Sequence, residues 1–398
     1  MIHPNPAMNS SCHRAKWVMR SPGRWIENGI VEIRSGRIVD VRSLGKKPPQ
    51  SSISDHGGGI LMPPLVNCHT HLTLSALKDR VDKGSGFLAW TKSLLREREK
   101  VSAKEALEAT KEALLSMKGS GVGCVGEFGP RFEVRELLRD AGLRGIVWRE
   151  FLGEDRDVPS LSREAGEILE SYAGHGPHTT SPILLRKLKV ACKERGVPFS
   201  IHLAESKEEV DFLEKGRGPW ADFLRERGID FSPWGSLGKR PVRLAKELGL
   251  LDEDTVAVHL LQVEKEEIEI LAESGVFVCL CPRSNVALHG KVPHLEDFLR
   301  AGIRPCLGTD SLASGESLSV LDEIRFLAEG FPNVSPSILL EMATINGARA
   351  LKAEGCGLLE KGSPGRLLYV EAEASSWEEA EEILVRKRDL ALRFIDGS

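Results

Sequence analysis

Short apolar β-type runs alternate with charged, helix-patterned stretches along most of this 398-residue chain, and no other feature limits the fold as strongly. Runs at residues 60–66, 121–127, 143–152, 198–203, 255–261, 275–281 and 303–308 have strand character, and helical spacing of apolar residues fills the stretches between them. Strands separated by helices pair in parallel, because a parallel neighbour is reached only through a crossover. Roughly eight such units favour a closed (β/α)8 TIM barrel over an open doubly wound sheet, and no G-x-G-x-x-G follows the first strand.

The two ends read differently. Ile30-Val31-Glu32-Ile33 and Arg37-Ile38-Val39-Asp40-Val41 flank Ser35-Gly36 as a hairpin, and residues 46–59, rich in Pro, Ser and Gly, form a loop into a first core strand at Ile60. β character returns at residues 367–371 and 390–395. The expected organisation is a small β-sandwich domain built from both termini, residues 1–60 and 356–398, around a barrel of residues 61–355.

Ligand-type side chains stand where a barrel would use them. His69-Thr70-His71 follows the first apolar run, and residues two apart in a strand point the same way, so both imidazoles can aim at one point. His202 closes the run at 198–203, His259 closes Val256-Ala257-Val258, and Asp310 follows Leu307-Gly308-Thr309. The C-terminal strand ends of a (β/α)8 barrel carry the active site. One such histidine is more often a hydrogen-bonded core residue, and Asp310 alone could be a helix N-cap. Together they point to a hydrolytic metal site, with Glu205 three residues beyond His202 and near enough to move protons.

That set resembles the amidohydrolase superfamily, in its cytosine deaminase, chlorohydrolase and adenosine-type deaminase branch. The likeness extends from about Trp17 to the end and includes Asn67-Cys68-His69-Thr70-His71-Leu72, Cys281-Pro282-Arg283-Ser284-Asn285 and Ala343-Thr344-Ile345-Asn346-Gly347-Ala348. The resemblance implies one divalent metal on His69, His71, His202 and Asp310, with Glu205 as proton shuttle, His259 polarising the attacking water and Asp310 taking that water's remaining proton. Two-metal members use a carbamylated lysine at the fourth strand. Gly174-His175-Gly176-Pro177-His178-Thr179-Thr180 has no lysine, so the expected site is mononuclear, zinc first and iron as the alternative. The unrelated zinc cytidine deaminase fold needs H-x-E together with P-C-x-x-C, and that combination is absent.

Within the branch the chain looks most like deaminases of modified adenosines. The aminofutalosine deaminase type of menaquinone biosynthesis comes first, then methylthioadenosine or adenosylhomocysteine deaminases. Cytosine deaminase, a triazine chlorohydrolase and a non-catalytic scaffold are the alternatives. Expected substrate contacts are His178, Arg283, Trp90 and Glu127. Each has a bland counterpart: a loop histidine, a structural ion pair, core packing and a rim carboxylate without function. His175, His289 and His294 read as ordinary loop residues, and Cys279 and Cys281 as core packing.

Composition narrows the partners. Lys+Arg 54 against Asp+Glu 58 gives a net charge of −4, which offers no footprint for nucleic acid and leaves a small-molecule substrate. No apolar stretch is long enough to span a bilayer or act as a signal peptide, so no membrane partner and a cytoplasmic location are expected. The eight cysteines contain no C-x-x-C and read as reduced thiols. A homodimer is compatible with the sequence. Pro364-Gly365-Arg366-Leu367-Leu368-Tyr369 departs from the family pattern by lacking the Ala-Asp pair that follows proline-glycine there, which puts the completeness of the small domain in question.

Overall fold

The computed structural model describes residues 10–45, 52–130, 132–161, 166–232, 234 and 237–396. Its strands are β1 Ser10–Ser21, β2 Arg24–Arg34, β3 Arg37–Ser43, β4 Ile53–Asp55, β5 Ile60–Met62, β6 Leu65–Thr70, β7 Val122–Gly129, β8 Arg144–Phe151, β9 Ile168–Gly174, β10 Phe199–Leu203, β11 Thr255–His259, β12 Phe277–Leu280, β13 Cys306–Leu307, β14 Arg366–Glu371 and β15 Ala391–Asp396. Strands β6 to β13 form one eight-stranded sheet in sequential order, parallel throughout. The sheet closes on itself: the N–H groups of Thr309 and Asp310 both donate to the carbonyl of His69, and Thr70 bridges to Asp310. This is the expected TIM barrel.

The remaining strands form the small β-domain, in the order β15-β14-β5-β1-β2-β3 with β4 paired to β1. Both chain ends supply it, around Ala15, Val18, Val31, Ile33, Ile38, Leu61, Leu367 and Ile395. Two details depart from expectation. The first apolar run is two strands, because Pro63 and Pro64 lack the N–H a ladder needs: Ile60–Met62 joins the small sheet, and the barrel starts at Leu65. The loop expected at 46–59 contains β4, while residues 46–51 lie outside the described residues, as do 1–9. Despite its unusual Pro364-Gly365 segment, the C-terminal part supplies β14, which pairs with both β5 and β15.

Inside the barrel the side chains are apolar or small: Val66, Cys68, Cys124, Phe128, Ile146, Trp148, Val256, Val258, Cys279, Cys281 and Cys306. Cys68, Cys279 and Cys306 bring their sulfurs within 4.8 Å of one another. Cys306 donates to the Val278 carbonyl and Cys68 to that of Gly347, so these thiols behave as small core residues. Close approach of strands demands glycine at two places. A Cβ on Gly126 would lie 2.4 Å from the Cys68 carbonyl oxygen, and one on Gly308 would lie 2.6 Å from His69 Cβ. Among the described residues no helix is long and apolar enough to cross a membrane.

Candidate active site

The C-terminal strand ends converge on one buried cluster. His69 lies on β6 with His71 just beyond it, His202 lies on β10, and Asp310 follows β13. Nε2 of His202 is 3.3 Å from Nε2 of His69 and 3.4 Å from Nε2 of His71, and Asp310 Oδ1 is 3.7 Å from both of the latter. Burial pushes these imidazoles toward the neutral form, His71 down to about 3; neighbouring imidazoles add to the effect at His71 and His202, while Asp310 opposes it at His69.

The partners of these groups set their orientation. His202 Nδ1 donates to the His175 carbonyl at 2.7 Å, so its Nε2 presents a lone pair to the cluster. Asp310 Oδ2 accepts from Ser284 at 2.6 Å and from Ser314 at 2.7 Å, which turns Oδ1 toward the histidines. Burial works to raise the Asp310 carboxyl, but the close imidazoles of His69, His71 and His259 outweigh it and hold it well below the usual carboxylate range.

Three imidazole nitrogens and a carboxylate oxygen converging on one buried point fit a cation. Four donors at about 2.0–2.1 Å around a tetrahedral ion would stand about 3.3–3.4 Å apart, the separation seen among the histidine nitrogens. His69, His71 and His202 are therefore a donor set with room for one divalent metal, and Asp310 Oδ1 is the adjacent carboxylate oxygen.

Glu205 and His259 border this cluster. Glu205 Oε1 is 3.8 Å from His259 Nε2 and 3.4 Å from His289 Nε2. Burial works to raise the Glu205 carboxyl, but proximity to the His259 imidazole and the His289 hydrogen bond outweigh it and hold it below the usual carboxylate range. His259 Nδ1 donates to Asn285 Oδ1 at 2.9 Å. Ala204, His259 and Asp310 have φ of 51°, 74° and 57°, a left-handed backbone costing non-glycine residues about 1–3 kcal/mol each. The turns at three strand ends thus carry strain where the reactive side chains emerge.

The expected substrate contacts divide. His178 is buried with both ring nitrogens unpartnered, against the Trp220 ring and 4.0 Å from Glu209, and burial lowers it to about 4. The other three have committed their polar atoms to the protein. Trp90 Nε1 donates to the Ala313 carbonyl, and both Glu127 oxygens accept the Leu72 N–H, pinning the turn after His71. Arg283 sits among Ser317, Glu316, Asp322 and Glu323, the structural ion-pair arrangement.

Two histidines read as loop residues belong to the site: His175 through its carbonyl, and His289 at Glu205. Ser284, Ser314, Asn285 and Glu150 were also missed. Glu150, one residue before the end of β8, has Oε1 3.6 Å from His202 Nδ1, and burial pushes its carboxyl up to about 8. Its position at a barrel strand end was the available signal.

The Amidohydrolase family model matches residues 60–390. A 5-methylthioadenosine/S-adenosylhomocysteine deaminase of Moorella thermoacetica is 30% identical over 375 residues, spanning 88% of this chain and 82% of that protein. An aminodeoxyfutalosine deaminase of Deinococcus radiodurans is 28% identical, spanning 83% and 82%. Among solved structures, Helicobacter pylori aminofutalosine deaminase in complex with methylthio-coformycin superposes with a TM-score of 0.86 at 24% identity, covering 97% of this chain and 98% of that one. Barrel, strand-end histidines and a family match across most of the sequence agree: the chain belongs to the amidohydrolase family.

Proposed function

We propose that this protein is a metal-dependent aminohydrolase that deaminates a modified adenosine and releases ammonia, a hydrolase acting on the C–N bond of a cyclic amidine. The observation that carries the reading is the placement of an ionised Glu205 and the imidazole of His259 beside the cluster of His69, His71, His202 and Asp310. The names of the relatives support the adenosine class: 5-methylthioadenosine/S-adenosylhomocysteine, aminodeoxyfutalosine and 5'-deoxyadenosine deaminases.

His69, His71, His202 and Asp310 would hold one divalent metal, zinc by preference and iron as the alternative, which when bound acts as a Lewis acid and makes water nucleophilic near neutral pH. The chain's own groups then manage the protons. Glu205, starting as a carboxylate, accepts a proton from the attacking water and delivers it to the ring nitrogen beside the amino-bearing carbon, which makes that carbon electrophilic. His259 Nε2, left with its lone pair by the Asn285 contact, accepts a hydrogen bond from the water and so orients it for attack. Asp310 Oδ1 receives the second water proton as the carbonyl forms, and that same proton is passed through Glu205 to the amino group, which leaves as ammonia with both carboxylates back in their starting state. The unpartnered ring nitrogens of His178 offer hydrogen bonds to the purine or its sugar.

Aminodeoxyfutalosine is the first substrate choice, a step in menaquinone biosynthesis, supported by the Deinococcus relative and the Helicobacter fold. Methylthioadenosine and adenosylhomocysteine form the second reading, since several relatives carry that name. Ammonia release should be measured across these nucleosides, 5'-deoxyadenosine, cytosine and a chlorotriazine. Turnover of at least one adenosine derivative is expected. Activity confined to cytosine or the triazine would overturn the proposal.

A further inference from the structure

The helix Pro282–His289 starts with proline at its first turn and ends at Gly290 with φ of 63°, a short element with sharply defined ends. From it come contacts to all three groups assigned to proton handling. Ser284 holds Asp310, Asn285 holds His259, and His289, one turn beyond Asn285, reaches Glu205. A carboxylate only accepts, so His289 Nε2 carries the hydrogen and donates it to Glu205 Oε1. The ring is sealed from solvent, with 5% of its side chain exposed. One face stacks on Phe87, with centroids 5.3 Å apart and planes 29° from parallel. Phe87 opens the helix Phe87–Arg98, part of the excursion between β6 and β7.

Glu205 needs such a partner. Its backbone N–H is fixed by Glu209 Oε2 at 2.8 Å, yet its side chain has several rotatable bonds, and a shuttle must face water and substrate in turn without losing its place. His259 stands 3.8 Å away, beyond hydrogen-bond reach, and its Nε2 is a lone pair in the neutral form.

We propose that His289 is a positioning residue for the deamination: its Nε2–H anchors Glu205 Oε1 and leaves Oε2 for proton transfer, and the Phe87 stack ties that anchor to the Phe87–Arg98 helix. The proposal rests on the deaminase reading of the site. His289 touches the shuttle and not the metal ligands, so its loss should be felt in kcat rather than in KM or metal content.

The test compares wild type with His289→Leu and His289→Gln on whichever adenosine derivative wild type deaminates, with metal content and melting temperature measured alongside. His289→Leu should lower kcat about 10–100-fold, the scale of losing a supporting hydrogen bond, with KM and metal content preserved. His289→Gln, which keeps a donor, should restore most of kcat. Unchanged kcat in His289→Leu, or a loss that His289→Gln fails to restore in a folded, metal-replete protein, would overturn the proposal. A second measurement needs no turnover and leaves His289 in place: the imidazole 15N resonance of His289 should shift in Glu205→Gln. A resonance that stays put overturns the contact. A resonance that moves in a protein inert toward every adenosine derivative supports the contact and overturns the deaminase reading alone.

Discussion

Asn285 Oδ1 accepts a hydrogen bond from His259 Nδ1 at 2.9 Å, and that contact decides which face of the imidazole meets Glu205. With the proton on Nδ1, the Nε2 lone pair points into the site. Asn285→Leu removes the acceptor and frees the tautomer. We expect kcat to fall about 10–100-fold with KM little changed, whereas Asn285→Asp, which keeps an acceptor, should retain more activity. Steady-state ammonia release measures both.

Glu205 lies outside the histidine cluster, so its substitution should separate chemistry from metal binding. Glu205→Gln preserves shape and loses the carboxylate that exchanges protons. Turnover should drop about 100- to 10,000-fold while metal content, read by elemental analysis, stays at the wild-type level.

The converse holds for the ligands. His202→Ala removes the nitrogen that lies closest to both partners, 3.3 Å from His69 and 3.4 Å from His71. Bound metal and activity should be lost together. Dialysis of wild type against a chelator should abolish activity and lower the melting temperature, because a ligand that binds only the folded chain stabilises it. Added zinc should restore both.

Glu323 lies under Arg283, accepting the Arg283 backbone N–H at 3.0 Å, and burial pushes its carboxyl from 4.5 up to about 8. Between these values the folded chain holds a proton that the unfolded chain has released. The contribution is complete below about pH 4.5 and is lost as the pH rises toward 8. Glu323→Gln should therefore flatten the decline of melting temperature between pH 5 and 8. Arg283→Leu should lower the melting temperature and leave KM unchanged, as befits a structural ion pair; a large rise in KM would return Arg283 to the substrate.

Trp148 fills the barrel interior. It is fully buried, donates Nε1 to the Pro198 carbonyl at 2.9 Å and packs on Phe128, whose ring centroid is 4.3 Å from that of His69. Trp148→Ala should cost about 3–5 kcal/mol of stability in chemical denaturation and loosen the floor beneath His69.

Much of this architecture is legible in the amino acids alone. Barrel strands announce themselves as compact apolar runs, and His69, His71, His202, His259 and Asp310 stand at or just past their C-terminal ends. β1 does not: SSCHRAKWVMRS mixes polar and charged residues, and its strand character comes from pairing with β2, β4 and β5. His289 illustrates a different miss. Proline at 282 and glycine at 290 marked a short helix, which would have placed His289 one turn from Asn285, but nothing local revealed Glu205 as its neighbour, 84 residues away.

Trp90, Glu127 and Arg283 show the same limit. Each has a residue type suited to substrate, and each is engaged by a group distant in sequence: Ala313, Leu72, and the acidic cluster at 316–323. Sequence by itself determined the barrel and the kind of chemistry at its rim, because strand periodicity and residue type are local properties. Tertiary structure alone decided which polar groups of the rim have protein partners, because barrel closure joins β6 to the segment after β13, 240 residues apart at Thr70 and Asp310.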